Sequence, residues 1–418
     1  MKRFFILLCL INIFIFPSQM HAETSIDVTK SYGIEMSSFY QPKGSIVADS
    51  HTGRILWEEN IDRKWPLASM SKLMTLTFVL DKIKEGTLPL DKKITVTVDD
   101  EVFSQHPLLS NNKMQKGAVY SVEELIYLTV VPSSNVATRM LMQQVEPDMR
   151  QFVKGMNQRA KDLGMRNTYF TNPFGAENAI VGKQYLPTGF ALNEDNISTS
   201  RDFAKLAYYM MNTYPNITKY TKHATYVSKP NTKLEEQFHT YLHSLKGDVH
   251  EYPGTDGLKT GSSGHAAYNY TATVQKGGFR IVQVLLGVGH WDVDDSEYKR
   301  HVIGNALLDR VYERYQYKEV LSKGMHYING RWYKVEQPLK DVVEKDKPVR
   351  FEILNNKITV LDPDRHYLTS DMKPPSVVVT PLTNYKTFII SGAFTLFMMI
   401  CILILLSLIR KHRHKYMS

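Results

Sequence analysis

The stretch WPLASMSKLMTLTFVL, residues 65–80, puts the Ser69 hydroxyl three residues before the Lys72 amine at the entrance to a strongly apolar run. Pro66 opens that run. Met70, Leu73, Met74, Leu76, Phe78, Val79, Leu80 and Ile83 fall on every side of a helical period rather than on one stripe. Such a helix must be central, with other elements packed around it. Residues i and i+3 share a face, and the unpaired N–H groups of a helix start favour a developing negative charge. Burial there disfavours an ammonium, so Lys72 can act as a base near neutral pH. The plainer reading is a Ser near a helix start beside a snorkelling Lys. The same spacing recurs at Ser110 and Lys113, in the polar loop SNNKM, and at Ser296 and Lys299, on the charged stretch DDSEYKRH. Only the Ser69 copy is expected at a buried helix head.

Working outward, SIVADSHTGRILWEEN predicts two short strands around a turn from Asp49 to Gly53. SVEELIYLTVV and VATRMLMQQV predict helices on either side of the turn PSSN. FVKGMNQRAKDLGM predicts an amphipathic helix closed by Gly164, and TSRDFAKLAYYMM another. From Gly257 the period becomes two, and KTGSSGHAAYNYTATV with FRIVQVLLGVG reads as a hairpin turning at Gly277-Gly278. After Tyr315, short strands around Asn-Gly and Asn-Asn turns predict a small all-β unit ending near Pro381. The expected organisation is a leader over 1–22, a catalytic domain over 23–315, a β-rich stalk over 316–383, a membrane helix over 388–409 and a basic tail over 410–418.

The chain has 418 residues and a net charge of +9. Six of its cations, Lys2, Arg3, Arg410, Lys411, Arg413 and Lys415, lie at the two ends. The remaining 45 basic and 42 acidic residues nearly balance, which excludes a nucleic-acid footprint. Both cysteines, Cys9 and Cys401, fall in the expected leader and membrane helix, so the catalytic part has no thiol chemistry. The 14 His show no ligand spacing and no metal or cofactor is expected. The basic tail predicts a cytoplasmic C-terminus and an extracellular catalytic domain.

Two further motifs change the weight of Ser69 and Lys72. Ser133-Ser134-Asn135 supplies Ser-x-Asn on the turn between two helices, and Lys259-Thr260-Gly261 begins an expected core strand. Ser-x-Asn recurs at Ser110 and Asn112, whereas Lys-Thr-Gly occurs once. Together, and in this order, the three motifs are specific. With DSHTGRILWEEN, PLASMSKLMT, MNQRAKDLGMRNTYFTNPFGAEN, STSRDFAKLA and TDGLKTGSSGHAAYN, they make the chain resemble the D-alanyl-D-alanine carboxypeptidase family of low-molecular-mass penicillin-binding proteins, the S11 serine peptidases. GNALLDRVYERYQYKEVLSKG and INGRWYKVE are similar to a staphylococcal member. Val136 departs from the family, whose members usually place Asp or Ala there.

The resemblance implies an α/β (α+β) serine β-lactamase/transpeptidase-like domain with an antiparallel sheet. It implies Ser69 as nucleophile, Lys72 as base and Ser133 as proton relay. Asn135, Lys259, Thr260, Gly261 and Ser262 would bind substrate, with the Ser69 and Ser262 N–H groups as oxyanion donors. The expected partners are peptidoglycan stem peptides, β-lactams as covalent inhibitors, and a membrane. A class A β-lactamase shares the motifs, yet it deacylates with a water held by a Glu-x-x-x-Asn element, and none is expected in this chain. A non-catalytic wall-peptide sensor would need no activated nucleophile.

Overall fold

The computed structural model describes residues 23–382 and 385–415; the expected leader over 1–22 lies outside them. A five-stranded antiparallel sheet organises residues 23–315. It contains β1 (Gly44–Asp49), β2 (Ile55–Glu59), β3 (Thr255–Ser263), β4 (Ala267–Lys276) and β5 (Phe279–Val288), in the order β2-β1-β5-β4-β3. Side chains alternate across it as a period of two requires. Ile46, Ala48, Val282, Val284 and Leu286 enter one core, whereas Val47, Ile281 and Leu285 enter another.

The larger core holds the helices α2 (Lys72–Lys84), α4 (Val122–Val130), α5 (Asn135–Val145), α6 (Met149–Asp162) and α7 (Ser200–Thr213), with α3 (Val98–Ser104) beside them. The short α1 (Ser25–Ser31) and the long α8 (Asp295–Arg314) cover the opposite face. Each start has a local cause. Ser121 and Glu124 close a capping box on α4, and Ser134 accepts from Ala137 N to cap α5. Gly164, at φ +69°, follows the last turn of α6.

Three expectations change. Pro66 does not open a helix: it pairs with Ile197 in a two-residue bridge, a short 3₁₀ turn over Ala68–Ser71 follows, and α2 starts at Lys72. Ala68 sits at φ +48° there, a conformation no continuous helix contains. The Lys259-Thr260-Gly261 strand is not central but the edge of the sheet, and packing against the Ala68–Ser71 turn keeps it buried. The charged stretch DDSEYKRH is not a solvated face, since Ser296, Arg300 and His301 within it are fully buried.

From Tyr315 the chain is all β. The strands β6 (Tyr315–Leu321) and β9 (Leu339–Glu344) pair with each other. A second sheet follows the order β7-β8-β12-β11-β10, from β7 (Gly324–Ile328), β8 (Arg331–Val335), β10 (Phe351–Leu354), β11 (Lys357–Val360) and β12 (Ser376–Pro381). Asn329-Gly330 and Asn355-Asn356, all at positive φ, make its hairpin turns. Arg54, from the β1–β2 turn, joins the two parts: it donates to Val342 O at 2.7 Å and to Asp362 Oδ2 at 2.7 Å. The last helix, α9 (Tyr385–Lys415), contains an apolar segment Ile390–Arg410 of mean hydropathy 2.7, long enough to fit a membrane anchor.

Candidate active site

The turn before α2 leaves Ser69 partly exposed above a fully buried Lys72, whose Nζ lies 2.8 Å from Ser69 Oγ. Lys72 Nζ also donates to Phe174 O at 2.9 Å. Burial, and next the Lys259 charge, hold the Lys72 amine well below the usual lysine range. The acceptor is a backbone carbonyl on the loop of residues 171–175, fixed by buried asparagines. Asn172 Oδ1 accepts from Gly175 N at 2.6 Å, and Asn196 Nδ2 donates to Asn172 O at 2.9 Å. Asn172 Nδ2 donates to Asn178 Oδ1 at 2.9 Å.

Gly175 touches the nucleophile turn directly. A Cβ there would lie 1.9 Å from Ala68 O, and φ is +78°. Gly175→Ala is therefore expected to lower the melting temperature and to slow acylation of Ser69 by penicillin. The left-handed strain alone costs roughly 1–2 kcal/mol. Differential scanning fluorimetry and stopped-flow acylation check this; unchanged values in both would mean that the loop does not set the turn.

Ser133 sits at φ +62° on the turn before α5, and its buried Oγ has no hydrogen-bond partner among the described residues. The same holds for Asn135 Oδ1, while Asn135 Nδ2 donates to Ser110 O at 2.9 Å. Two buried polar atoms left open within three residues of one turn are an unusual cost unless a ligand completes them. The Ser110 loop, read in the sequence only as a chance recurrence, is what holds this turn. Ser134 Oγ donates to Asn112 Oδ1 at 2.7 Å and Val136 N donates to Asn111 Oδ1 at 2.9 Å. At position 136 the tether is thus a backbone N–H, and the Val136 side chain is free to fill the core.

On the third side, Lys259, Thr260, Gly261 and Ser262 line β3. A Cβ on Gly261 would lie 2.5 Å from Leu67 O and 2.9 Å from Met70 N. The glycine thus lets β3 approach the Ser69 turn, a different reason from the substrate pairing its sequence position suggests. Asn269, on β4, fastens the same turn by donating to Pro66 O at 2.8 Å and Leu67 O at 3.1 Å. Buried Arg300 donates to Ser262 Oγ at 2.9 Å and to Tyr241 O at 3.0 Å. Burial first, and Arg300 second, lower Lys259 to about 7. Neither Asn269 nor Arg300 carries a motif that would single it out.

Ser69, Ser133, Thr260, Gly261 and Ser262 open into one cleft of about 130 Å³, walled by Tyr241, Tyr268 and Trp291. Larger clefts, of about 330 and 510 Å³, lie on the β unit and at its seam with the first domain. The Ser69–Lys72 pair opens into neither, so chemistry rather than volume selects the site. Ser110 also lines the Ser69 cleft, but among the described residues no hydrogen bond joins its hydroxyl to Lys113. Ser296 does stand at the head of α8, but it is fully buried, and Lys299 pairs with Asp295 at 3.1 Å. The single Glu-x-x-x-Asn spacing in the chain, from Glu352 to Asn356, falls on the β10–β11 hairpin.

Residues 37–289 match the model of peptidase S11, D-alanyl-D-alanine carboxypeptidase, and residues 317–380 match a domain of unknown function, DUF1958. The D-alanyl-D-alanine carboxypeptidase DacF of Bacillus subtilis is 26% identical over 277 residues, 66% of this chain and 64% of that one. A D-alanyl-D-alanine endopeptidase of Escherichia coli is 31% identical over 39% of this chain and 45% of its own. The chain thus spans less than two thirds of the length of these curated relatives. A peptidoglycan synthesis regulatory factor (PBP3) from Streptococcus pneumoniae superposes with a TM-score of 0.70 at 21% identity, over 81% of this chain and 98% of that one. Penicillin-binding protein D2 from Listeria monocytogenes, in its ampicillin-bound form, does so with a TM-score of 0.52 at 25% identity, over 66% and 100%. All three motifs lie inside a family match that takes in more than half of the sequence, and the chain belongs to the D-alanyl-D-alanine carboxypeptidase family, peptidase S11.

Proposed function

We propose that the chain is a serine D,D-peptidase that removes the terminal D-alanine of peptidoglycan stem peptides through an acyl-enzyme, and that β-lactams acylate the same serine. The observation that carries this is the 2.8 Å approach of a buried, weakly basic Lys72 to Ser69. The neutral amine takes the hydroxyl proton as Ser69 Oγ bonds to the carbonyl carbon between the two D-alanines. As the C–N bond breaks, Ser133 relays that proton to the departing amine, with Lys259 polarising the pair. Water then cleaves the ester and restores the hydroxyl. The N–H groups of Ser69 and Ser262 receive the oxyanion, and the close seating of Gly261 on the turn supports that pairing. Asn135 binds the stem-peptide amide, in keeping with its open Oδ1. In this reading the chain divides into 23–315, 316–383 and 388–409, the site faces the wall side of a membrane, the β unit is a spacer and the basic tail is inside; the apolar segment Ile390–Arg410 and the cations that follow it support this. Incubating the chain with a D-Ala-D-Ala pentapeptide and a competing amine, then weighing the products, tests the reading. Free D-alanine supports it, an amine adduct adds transpeptidation, and intact peptide with no acyl-enzyme overturns it.

Lys259 and Thr260 read the terminal carboxylate. Thr260→Val should cost roughly 1.5–3 kcal/mol in kcat/KM for the acid substrate, the scale of a hydrogen bond to a charged group, and much less for its amide. Equal losses would show that Thr260 does not read the carboxylate.

The lowered Lys259 adds a pH signature. It loses its charge as pH rises through about 7, so kcat/KM for a carboxylate substrate should fall above that value while the amidated analogue shows no such fall. An identical profile for both would sever Lys259 from carboxylate binding. Both buried lysines are less basic folded than unfolded. The unfolded chain therefore binds more protons between about 7 and the ordinary lysine range, and their contribution to stability rises with pH through that window.

A further inference from the structure

Behind the Tyr241 wall of the cleft, the segment after the strand Glu236–His239 folds back on itself. Its backbone is pinned by Thr240 N to Ala224 O at 2.8 Å, His250 N to His243 O at 3.1 Å and Tyr252 N to Ser244 O at 2.9 Å. Leu242 and Leu245 are buried beneath it. This rigid loop gathers two imidazoles on one carboxylate. His239 Nε2 lies 2.9 Å from Asp248 Oδ2, and His243 Nδ1 lies 3.1 Å from Asp248 Oδ1. One donor atom from each of the three residues lies within 4.8 Å of the others. Metal–ligand bonds of about 2.0–2.2 Å at a tetrahedral angle put neighbouring donors roughly 3.3–3.5 Å apart, so a small expansion admits an ion.

A second feature is independent of these three. The other nitrogen of the buried His243, Nε2, is 3.1 Å from Glu297 Oε1. A carboxylate on the far nitrogen is the partner that fixes the tautomer and orientation of a metal-binding imidazole and strengthens it as a donor. His239 is exposed, which leaves one side of the site open to water.

We propose that His239, His243 and Asp248 bind a single borderline divalent transition-metal ion, of the Zn²⁺ class, with Glu297 orienting His243. Two imidazoles and one carboxylate favour that class over Mg²⁺ or Ca²⁺, which take oxygen ligands. The His239-x-x-x-His243 spacing, passed over in the sequence, gains meaning only once the fold brings Asp248 between the rings. The site also adjoins the cleft. Glu297 Oε1 is 3.5 Å from Arg300 Nη2, and Arg300 holds Ser262 Oγ. Occupancy of the site is thus joined to the β3 strand through two side chains.

The test uses the full chain in detergent, stripped with a chelator and titrated with Zn²⁺ by calorimetry, with Co²⁺ absorption as a coordination probe. Wild type should bind one equivalent more than His239→Ala, whose exposed side chain can be removed with little loss of packing. Glu297→Gln should bind that equivalent on the order of 10–100-fold more weakly. Ions taken by His412 and His414 in the tail are common to all variants and cancel. Equal stoichiometry and affinity in wild type, His239→Ala and Asp248→Asn would overturn the proposal. So would no binding below about 1 mM Zn²⁺, or equally tight binding of Mg²⁺.

Discussion

A Ser69→Ala variant is expected to fold and to take up no fluorescent penicillin, with wild-type label mapping to a single peptide that contains Ser69. The loss should be complete rather than partial, because a covalent adduct needs the oxygen itself and no neighbouring hydroxyl has a base. One hydroxyl of the same cleft, Ser133 Oγ, has no hydrogen-bond partner among the described residues to take its proton. The structural cost is modest. Ser69 is partly exposed, and Lys72 keeps the Phe174 carbonyl, so roughly 1 kcal/mol of hydrogen bonding is at stake. Ser110→Ala and Ser296→Ala should label like wild type. Ser110 supports Asn135 through its backbone carbonyl, which the substitution leaves in place. Ser296 is fully buried, accepts from His290 N and does not line the cleft. Gel fluorescence and peptide mapping check all three, and label retained by Ser69→Ala would end the assignment.

The contrast among those serines marks what a sequence can carry. Ser69 and Lys72, Ser133 and Asn135, and Lys259 and Thr260 are each within three residues of one another, so the spacing alone shows that the members of each pair lie side by side. The strand pattern was legible for the same reason: a period of two over β1, β4 and β5 sends alternate residues into two cores. What escaped is non-local or made of backbone. The Phe174 carbonyl reaches Lys72 across 102 residues and has no side-chain identity to betray it. Asn269 and Arg300 are single polar residues whose meaning depends on which turn or strand lies opposite.

Charge was the most misleading cue. In DDSEYKRH Asp294 and Asp295 face outward, yet Glu297 turns to His243 and Arg300, and Arg300 and His301 are buried beneath β3 and β4. A burial pattern of period 3.6 was present there but masked by the density of ionisable residues. The edge position of β3 was equally hidden. Buried strands read alike whether a strand or a helical turn covers them, and here the Ala68–Ser71 turn does the covering.

The second large effect belongs to Lys72. If its amine removes the Ser69 proton, replacing it with a group of similar volume and no lone pair should cut acylation by about 10²–10⁴-fold, the usual worth of a positioned base. Lys72→Met meets that condition. The side chain is fully buried, and methionine fills such space without a polar group of its own to satisfy, at the cost of the Phe174 carbonyl's bond. Its melting temperature should stay near wild type or rise. Lys72→Arg should lose as much activity for a different reason, since a guanidinium stays protonated and has no lone pair to offer. It should also melt lower, because a permanent charge would then be buried beside Lys259, and among the described residues no carboxylate pairs with either group. The two variants therefore agree in acylation and diverge in stability. A buried lysine that only filled space would give the opposite result, with Lys72→Met acylating at nearly the wild-type rate. Stopped-flow acylation beside thermal melting separates the two cases, and a near-wild-type rate in Lys72→Met would mean that some other group takes the proton.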